Sequence, residues 1–198
     1  MTANREIERE QPMGVKYCSV CGAKMTTRIP EDDDHARPVC DRCGHVHYEN
    51  PKLVVGCIPV QGDQVLLCKR NIEPQKGMWT LPAGYLENGE TVQQGAVRET
   101  LEETRSRVAI IAPYRMFNLV FVQQIYLMFR ARLLDDHFGP TKESTQVRLF
   151  SESEIPWEKI AFESIRQTLA DYFSDRPGQE YPFEIKQILP SKKHADPA

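Results

Sequence analysis

No apolar run in this sequence approaches the roughly 20 residues that a membrane-spanning helix needs, so no such helix is expected. The opening stretch, MTANREIERE, carries charges where a secretory leader would be apolar, which speaks against export. Surplus charge is scarce as well. A net charge of −3 creates no field that would draw a polyanion, so neither nucleic acid nor an anionic membrane is expected as a partner. No internal repeat is visible, which sets aside solenoids and propellers. What remains is a globular protein with room, in 198 residues, for one full domain and a small appendage.

Six cysteines could suggest disulfides, but their placement argues against that reading. Four are arranged as Cys18-x-x-Cys21 and Cys40-x-x-Cys43 with 18 residues between the pairs, the spacing of a four-thiolate zinc site. Each pair is followed by a glycine, Gly22 or Gly44, where a tight turn would point backbone N–H groups at sulfur. A segment this short buries little apolar surface, so bound Zn²⁺ would supply its folding energy. Cys57 and Cys68 lie in apolar, strand-like runs and read as packed thiols. Thiolate ligands and free thiols together imply a reducing compartment, hence a cytoplasmic location. His35, His45 and His47 stand near the four cysteines but are read as surface residues, since four thiolates already close a tetrahedral site. The segment is also electrically balanced, with five basic and five acidic residues between Lys16 and Tyr48, a poor footprint for phosphate backbones.

The stretch with the most chemistry is residues 84–105, GYLENGETVQQGAVRETLEETR. Asn88-Gly89 marks a turn, Glu90 and Thr91 suit a first helical turn, and no proline follows until after Thr104. At about 100° per residue, Glu102 and Glu103 fall roughly 60° and 40° to either side of Glu99, so three carboxylates share a face. Val97, Leu101 and Thr104 are expected to point the opposite way, into a core. Like charges at these spacings repel. Either the face is simply solvated, or a hard divalent cation such as Mg²⁺ offsets the repulsion.

These residues resemble the Nudix box, G-x5-E-x7-R-E-U-x-E-E-x-G-U with U bulky and aliphatic. Gly84, Glu90, Arg98, Glu99, Glu102 and Glu103 all stand in register, while Thr100, Arg105 and Ser106 depart at a U, the late Gly and the last U. The preceding Trp79-Thr80-Leu81-Pro82-Ala83-Gly84 is similar to the family segment W-x-L-P-G-G. The resemblance implies an α/β fold, a Nudix α/β/α sandwich with a mixed sheet, preceded by a small zinc-ribbon domain. It implies hydrolysis of a pyrophosphate bond with Mg²⁺ or Mn²⁺ held by Glu99, Glu102, Glu103 and the carbonyl of Gly84. Arg98 would orient the acidic group by ion pairing, and Glu90 would brace the loop against the helix. Some relatives use a glutamate outside the box as general base; Glu143 fits that position along the chain, and Glu152 is the alternative.

The same resemblance bears on substrate. The S-Q-P-W-P-F-P-like segment of NADH pyrophosphatases is absent, its place taken by VAIIAPYRMFN. YCSVCG, VCDRCGHVHYENPK, LLCKRNIEP and WTLPAGYLENGE look closer to zinc-ribbon Nudix proteins related to plant FAD pyrophosphatases. A small nucleotide, FAD or ADP-ribose first, is therefore the expected substrate, with Tyr85, Phe117 and Phe121 as candidates to stack a base or flavin. A non-catalytic Nudix module that senses a nucleotide or docks on a partner is the competing reading, and a homodimer is open.

Along the chain, residues 1–15 read as a flexible tail, 16–48 as the ribbon, 49–175 as the Nudix domain and 176–198 as a C-terminal extension. KLVVGCIPV and QVLLCKR predict a hairpin turning at Gln61-Gly62-Asp63. VAIIAP, YRMFNLVFVQQIYLMFRARLL and QVRLFS predict further strands, with a loop over residues 137–141. A second helix is expected to start at residues 153–157, with Pro156 in its first turn, and to run to Asp175 on an apolar face of Ile160, Phe162, Ile165, Leu169 and Phe173.

Overall fold

The computed structural model describes residues 15–190; residues 1–14, most of the expected tail, and 191–198, the end of the expected extension, lie outside them. Contacts divide the chain into one unit ending at Asn50 and another beginning at Pro51.

The first unit contains a two-stranded antiparallel sheet, β1 (Met25–Arg28) and β2 (Arg37–Cys40), in register from Met25↔Cys40 to Arg28↔Arg37. Its buried cluster is Cys18, Met25 and Cys40 with Cys21 and Ala23 against them, and Val39 is buried outside that cluster. Three of the five in the cluster are cysteines, so the hydrophobic effect alone offers this unit little.

The second unit is built on β3 (Lys52–Gln61), β4 (Gln64–Arg70), β5 (Trp79–Thr80), β6 (Ala83–Tyr85), β7 (Val108–Leu119), β8 (Gln124–Leu133), β9 (Ser144–Phe150) and β10 (Glu184–Gln187). The sheet runs β10-β7-β8-β3-β4-β5, with β6 on β3 and β9 on β4. Pairing is mixed: β3 lies parallel to β8 and β10 parallel to β7, and the other pairs are antiparallel. Two helices complete it, α1 (Val92–Thr104) and α2 (Glu163–Asp175).

Strand alternation sends successive side chains to opposite faces. Val55, Cys57, Leu66 and Phe129 pack with Ala96 of α1. Ile58, Val65, Leu67 and Met128 pack with Ile165, Leu169 and Phe173 of α2. Both faces being covered, the central strands are apolar almost throughout, which is why KLVVGCIPV and QVLLC read as runs and not as alternations. The sandwich and the hairpin turning at Gly62 follow the expectation. None of the helices among the described residues is long and apolar enough to cross a membrane.

Three expectations need correction. The second helix starts at Glu163, six to ten residues later than expected. Ser151 and Glu154 close a single turn through Ser151 Oγ–Oε2 (2.7 Å), and Ile155 precedes Pro156, which disfavours helical backbone. Ile160 then bridges Trp79 in parallel, and Ala161 N–H donates to the Trp79 carbonyl at 2.8 Å, so these backbone groups serve the sheet. On α1, Leu101 is 47% exposed, while Gly95, Ala96, Thr100, Glu103 and Thr104 form the buried face. The side of α1 that carries Glu103 thus turns inward. Finally, VAIIAPYRMFNL is one strand with bulges at Ile110/Ala112 and Pro113/Arg115, not two.

The C-terminal stretch YPFEIKQIL lies on its own chain. β10 adds to β7, and Arg115 of β7 fastens the segment. This side chain is 3% exposed. It donates to Asp171 (2.7 Å) and Asp175 (2.8 Å) of α2 and to the carbonyl of Pro182 (2.6 Å). Arg115→Met leaves two half-buried aspartates without their cation, and the unfolding free energy should fall by about 3 kcal/mol in urea titration. Amide exchange should quicken first over residues 184–188. Unchanged stability would show that the network is dispensable.

Candidate functional site

Glycine is required at two places beside α1. A Cβ on Gly56 would sit 2.4 Å from Ala83 Cβ, so only glycine lets β6 lie against β3. A Cβ on Gly84 would sit 2.3–2.5 Å from the carboxylate atoms of Glu99. The Glu99 carboxylate therefore rests directly on the Gly84 backbone. One residue earlier, Ala83 N–H donates to Glu103 Oε2 at 3.0 Å. The strand β6 is thus a backbone seat for two acids one helical turn apart.

The helix that presents them is fixed at both ends. Thr91 caps its start, with Gln94 N–H on Thr91 Oγ1 (3.2 Å) and Thr91 N–H on Gln94 Oε1 (2.8 Å). At its end Arg105 adopts φ 62°, and its N–H returns to Leu101 O at 2.8 Å. That left-handed conformation is what glycine adopts most easily, so Arg105 occupies a position suited to the missing box glycine at some strain.

Arg98 ties the remaining charges together. Its Nε and one terminal nitrogen fork onto Glu90 at 3.0 and 2.7 Å. The other terminal nitrogen reaches Glu99 at 2.7 Å and Glu102 at 3.1 Å, and a further bond meets the Tyr85 carbonyl at 3.0 Å. Glu90 also accepts Glu87 N–H at 2.8 Å, and Gly95 leaves room for its carboxylate. Held first by Arg98, Glu90 is lowered to about 2.

The three box acids differ in environment. Glu103 is 4% exposed; burial pushes its carboxyl up to about 7 despite the Ala83 N–H, and Glu99 adds repulsion. The Cys68 thiol donates to Glu103 Oε2 at 3.7 Å. Glu99 is also raised, by burial first, with Arg98 opposing. The Glu102 side chain is 55% exposed and meets only Arg98. The trio does not converge. Among the described residues, only the four cysteines and Asp33-Asp34-His35 form groups of three or more metal-ligating side chains with ligand atoms mutually within 4.8 Å. Arg98 holds Glu99 and Glu102 while Ala83 holds Glu103. Glu99 and Glu103 still fit a hard cation: two partly desolvated carboxylates beside a backbone carbonyl, each with a raised carboxyl that a positive charge would relieve.

Glu143 sits exposed just before β9, and its charge raises both Glu99 and Glu103. Glu152 pairs instead with Arg176 at 3.3 Å, and Arg176 also holds the Asp63 carbonyl at the β3–β4 turn. Of the aromatic candidates, Phe117 is fully buried and so is removed as a stacking platform. Tyr85 is 47% exposed, with Lys52 over its ring at 5.5 Å, and Phe121 is 45% exposed. Sequence reasoning missed Arg70 and the Cys68 thiol as neighbours of Glu103. Period-two alternation in QVLLCKR puts both on one face and offered the available signal.

In the first unit the four sulfurs gather as two knuckles. Cys18–Cys43 Sγ are 3.7 Å apart and Cys21–Cys40 Sγ 3.4 Å, close to the about 3.8 Å edge that a tetrahedron of 2.3 Å Zn–S bonds requires. Gly22 and Gly44 take φ 70° and 71°. Backbone N–H groups of Val20, Arg42 and Cys43 point at sulfur at 3.4 Å. The Ala23 backbone, then Cys40, lowers Cys21 to about 6, whereas its thiol neighbours push Cys43 up to about 12 against the pull of His45. Four sulfurs this close ionise together only around a cation. His35 is exposed as expected, but His45 and His47 are half-buried, and the His47 N–H is bonded to the Pro38 carbonyl at 2.9 Å.

Known proteins agree with this arrangement at the level of family. The NUDIX domain model matches residues 50–172, and the zinc-ribbon Nudix N-terminal model matches residues 16–49. A crystal structure of a NUDIX hydrolase from Nitrosomonas europaea superposes with a TM-score of 0.86 at 49% identity, covering 88% of this chain and 99% of that one. The NAD-capped RNA hydrolase NudC of Pseudomonas aeruginosa (strain LESB58) is 30% identical over 172 residues, covering 84% of this chain. This chain spans 59% of that relative's length. An ADP-ribose pyrophosphatase from Streptococcus suis shares the fold at 22% identity and a TM-score of 0.57.

The Glu90–Arg98 pair predicts a pH signature. Because folding depresses the Glu90 pKa, its stabilisation is present above the unfolded value of about 4.3 and drains as pH falls toward 2. Glu90→Gln should flatten the acid limb of stability between about pH 5 and 2, measured by urea unfolding. An unchanged limb would show that the pair does not govern it.

Proposed function

The chain belongs to the NUDIX family, and on that premise we propose that it hydrolyses the pyrophosphate bond of an NAD-like dinucleotide or related nucleotide, with a divalent metal. The observation that carries the proposal is Glu103, a buried carboxyl beside Glu99 on the Gly84 backbone. A buried acid that repels its neighbour is a poor choice for packing and a good one for gripping a cation.

Glu99, Glu103 and the Gly84 carbonyl would hold Mg²⁺ or Mn²⁺, with Glu102 joining once it leaves Arg98. When bound, the metal neutralises phosphate oxygens and lowers the pKa of a nearby water. The protein does the rest. Arg98 keeps Glu99 oriented, Glu90 anchors Arg98, and Ala83 N–H fixes the Glu103 carboxylate. Glu143 takes the proton of the attacking water; its field reaches Glu99 and Glu103, which favours it over Glu152. Water oxygen bonds to one phosphorus, the bridging P–O bond breaks, and the leaving phosphate departs as a monoester. FAD would give FMN and AMP, and ADP-ribose would give AMP and ribose phosphate. The names of the relatives put an NAD-capped RNA end alongside these, and Tyr85 offers an exposed ring to any of their bases.

The competing reading is a nucleotide sensor. It is favoured by one observation: Arg98 already occupies Glu99 and Glu102, so the acids do not converge. Turnover decides. Incubation with NAD, FAD, ADP-ribose and NAD-capped RNA plus Mg²⁺ or Mn²⁺ should release AMP, or a 5′-monophosphate RNA end. Binding without release would establish the sensor. Glu103→Gln should lower kcat on the order of 10³-fold and, without metal, raise the melting temperature by removing a buried charge. Full activity in that variant would refute the metal assignment.

The four cysteines would hold Zn²⁺ as a structural ion, in a ribbon over residues 16–48 ahead of the hydrolase domain over 49–175. Such thiolates suit the cytoplasm. Cys40→Ser should lose bound zinc and unfold the ribbon, read by metal content and amide exchange, while exchange from Pro51 onward stays protected. Global unfolding would show that the two units fold as one.

A further inference from the structure

Arg70 ends β4 at 8% exposure, and among the described residues it has no ion-pair partner. Alternation along β4 places it on the same face as Cys68, whose thiol reaches Glu103. The Nε of Arg70 donates to the Pro74 carbonyl at 2.8 Å, and the guanidinium lies over the Phe162 ring at 5.1 Å. Those contacts orient the plane and use one donor of five. Among the described residues, the two terminal nitrogens have no hydrogen-bond acceptor and no carboxylate within 4.0 Å. Neither is sealed from solvent in the way that Arg130 Nε is.

An arginine this buried is ordinarily paired. Arg115, the other deeply buried arginine, has two aspartates and two carbonyls. Leaving a guanidinium half-satisfied in a poorly solvated place is unfavourable unless an anion arrives to complete it. The backbone of Arg70 also holds the loop over residues 71–78, through Arg70 N–H to Met78 O (2.9 Å) and Gly77 N–H to Arg70 O (2.8 Å). The side chain is thus held on two sides, by the Pro74 carbonyl and the Phe162 ring, with its outer edge free. Its positive charge is felt by Glu103, Cys68 and Tyr126, which sets it at the rim of the acidic seat.

We propose that Arg70 is a phosphate-binding residue, its free edge taking non-bridging oxygens of the substrate's diphosphate next to Glu103. The geometry suits a planar, two-pronged donor, and a phosphate oxygen pair matches that fork. The identification of the anion as a diphosphate rests on the hydrolase reading; the free guanidinium edge does not.

The test is calorimetric titration of inorganic pyrophosphate, with Mg²⁺, into the full-length protein and its Arg70→Met and Arg70→Lys variants. Pyrophosphate affinity should fall at least 10-fold in Arg70→Met and about 3-fold or more in Arg70→Lys, which keeps the charge but loses the fork. Wild-type affinity in folded Arg70→Met would overturn the proposal, as would a wild-type protein that does not bind pyrophosphate. Should Arg70→Met fail to fold, Arg70→Lys decides: weaker binding supports the role, and unchanged binding overturns it. Turnover separates the two claims. AMP release with unchanged binding in the variants sinks the Arg70 role alone. Arg70-dependent binding without AMP release from any dinucleotide sinks the hydrolase reading alone.

Discussion

A carboxyl removed from water is the constraint on which the second unit turns. Glu103 lies between β4 and β6, where one backbone N–H and one thiol are its hydrogen-bond partners. Burial pushes its carboxyl up to about 7, well above the ordinary carboxylate range. Most of what surrounds it serves to keep it there: the glycine at 56 that lets β6 approach, the bare backbone at Gly84 on which its neighbour rests, and a helix capped so that its register cannot slip. The proposed chemistry uses the same tension, because a cation is the cheapest way for such a group to ionise.

Arg98 and Arg70 divide the cationic work. Arg98 is saturated, forked onto Glu90 and shared among Glu99, Glu102 and Tyr85 O. It belongs to the frame, and its strong tie to Glu90 is what brings the loop over residues 84–91 onto the helix. Arg70 is the unsaturated one. A saturated arginine positions other groups, and an unsaturated one waits for a ligand. The first unit follows a parallel logic with sulfur. Three of the five residues in its small core are cysteines, so the same atoms that would bind an ion also form the little core it has.

Much of this was legible in the residues. The spacing of Cys18, Cys21, Cys40 and Cys43 announced two knuckles, Gln61-Gly62-Asp63 announced the hairpin, and Gly84 to Glu103 announced the helix and its acids. Failures arose where tertiary packing overrode local pattern. Leu101 looked like a core residue because it lies opposite the three acids around the helix, but α1 buries its small residues and Glu103 instead. The start of α2 looked helical from Pro156 and the apolar spacing, yet Ile160 and Ala161 are committed to Trp79, 81 and 82 residues earlier in the chain, a partnership no local window contains. A basic residue at a strand end is normally solvated, and Arg70 differs because Phe162 and the loop ending at Met78 lie against it. The C-terminal strand was invisible as a partner for β7 because Arg115 reads as a surface charge until Asp171, Asp175 and Pro182 close round it.

The claim at the centre is that the seat made by β6 and α1 receives a divalent cation. Anomalous diffraction at the manganese edge, from crystals soaked in MnCl₂ and ADP-ribose, addresses it without reference to rates. The account predicts a manganese peak within bonding distance of the Glu99 and Glu103 carboxylates and the Gly84 carbonyl. A peak elsewhere, or none, with Glu103 still bonded only to Ala83 N–H and the Cys68 thiol, would contradict it.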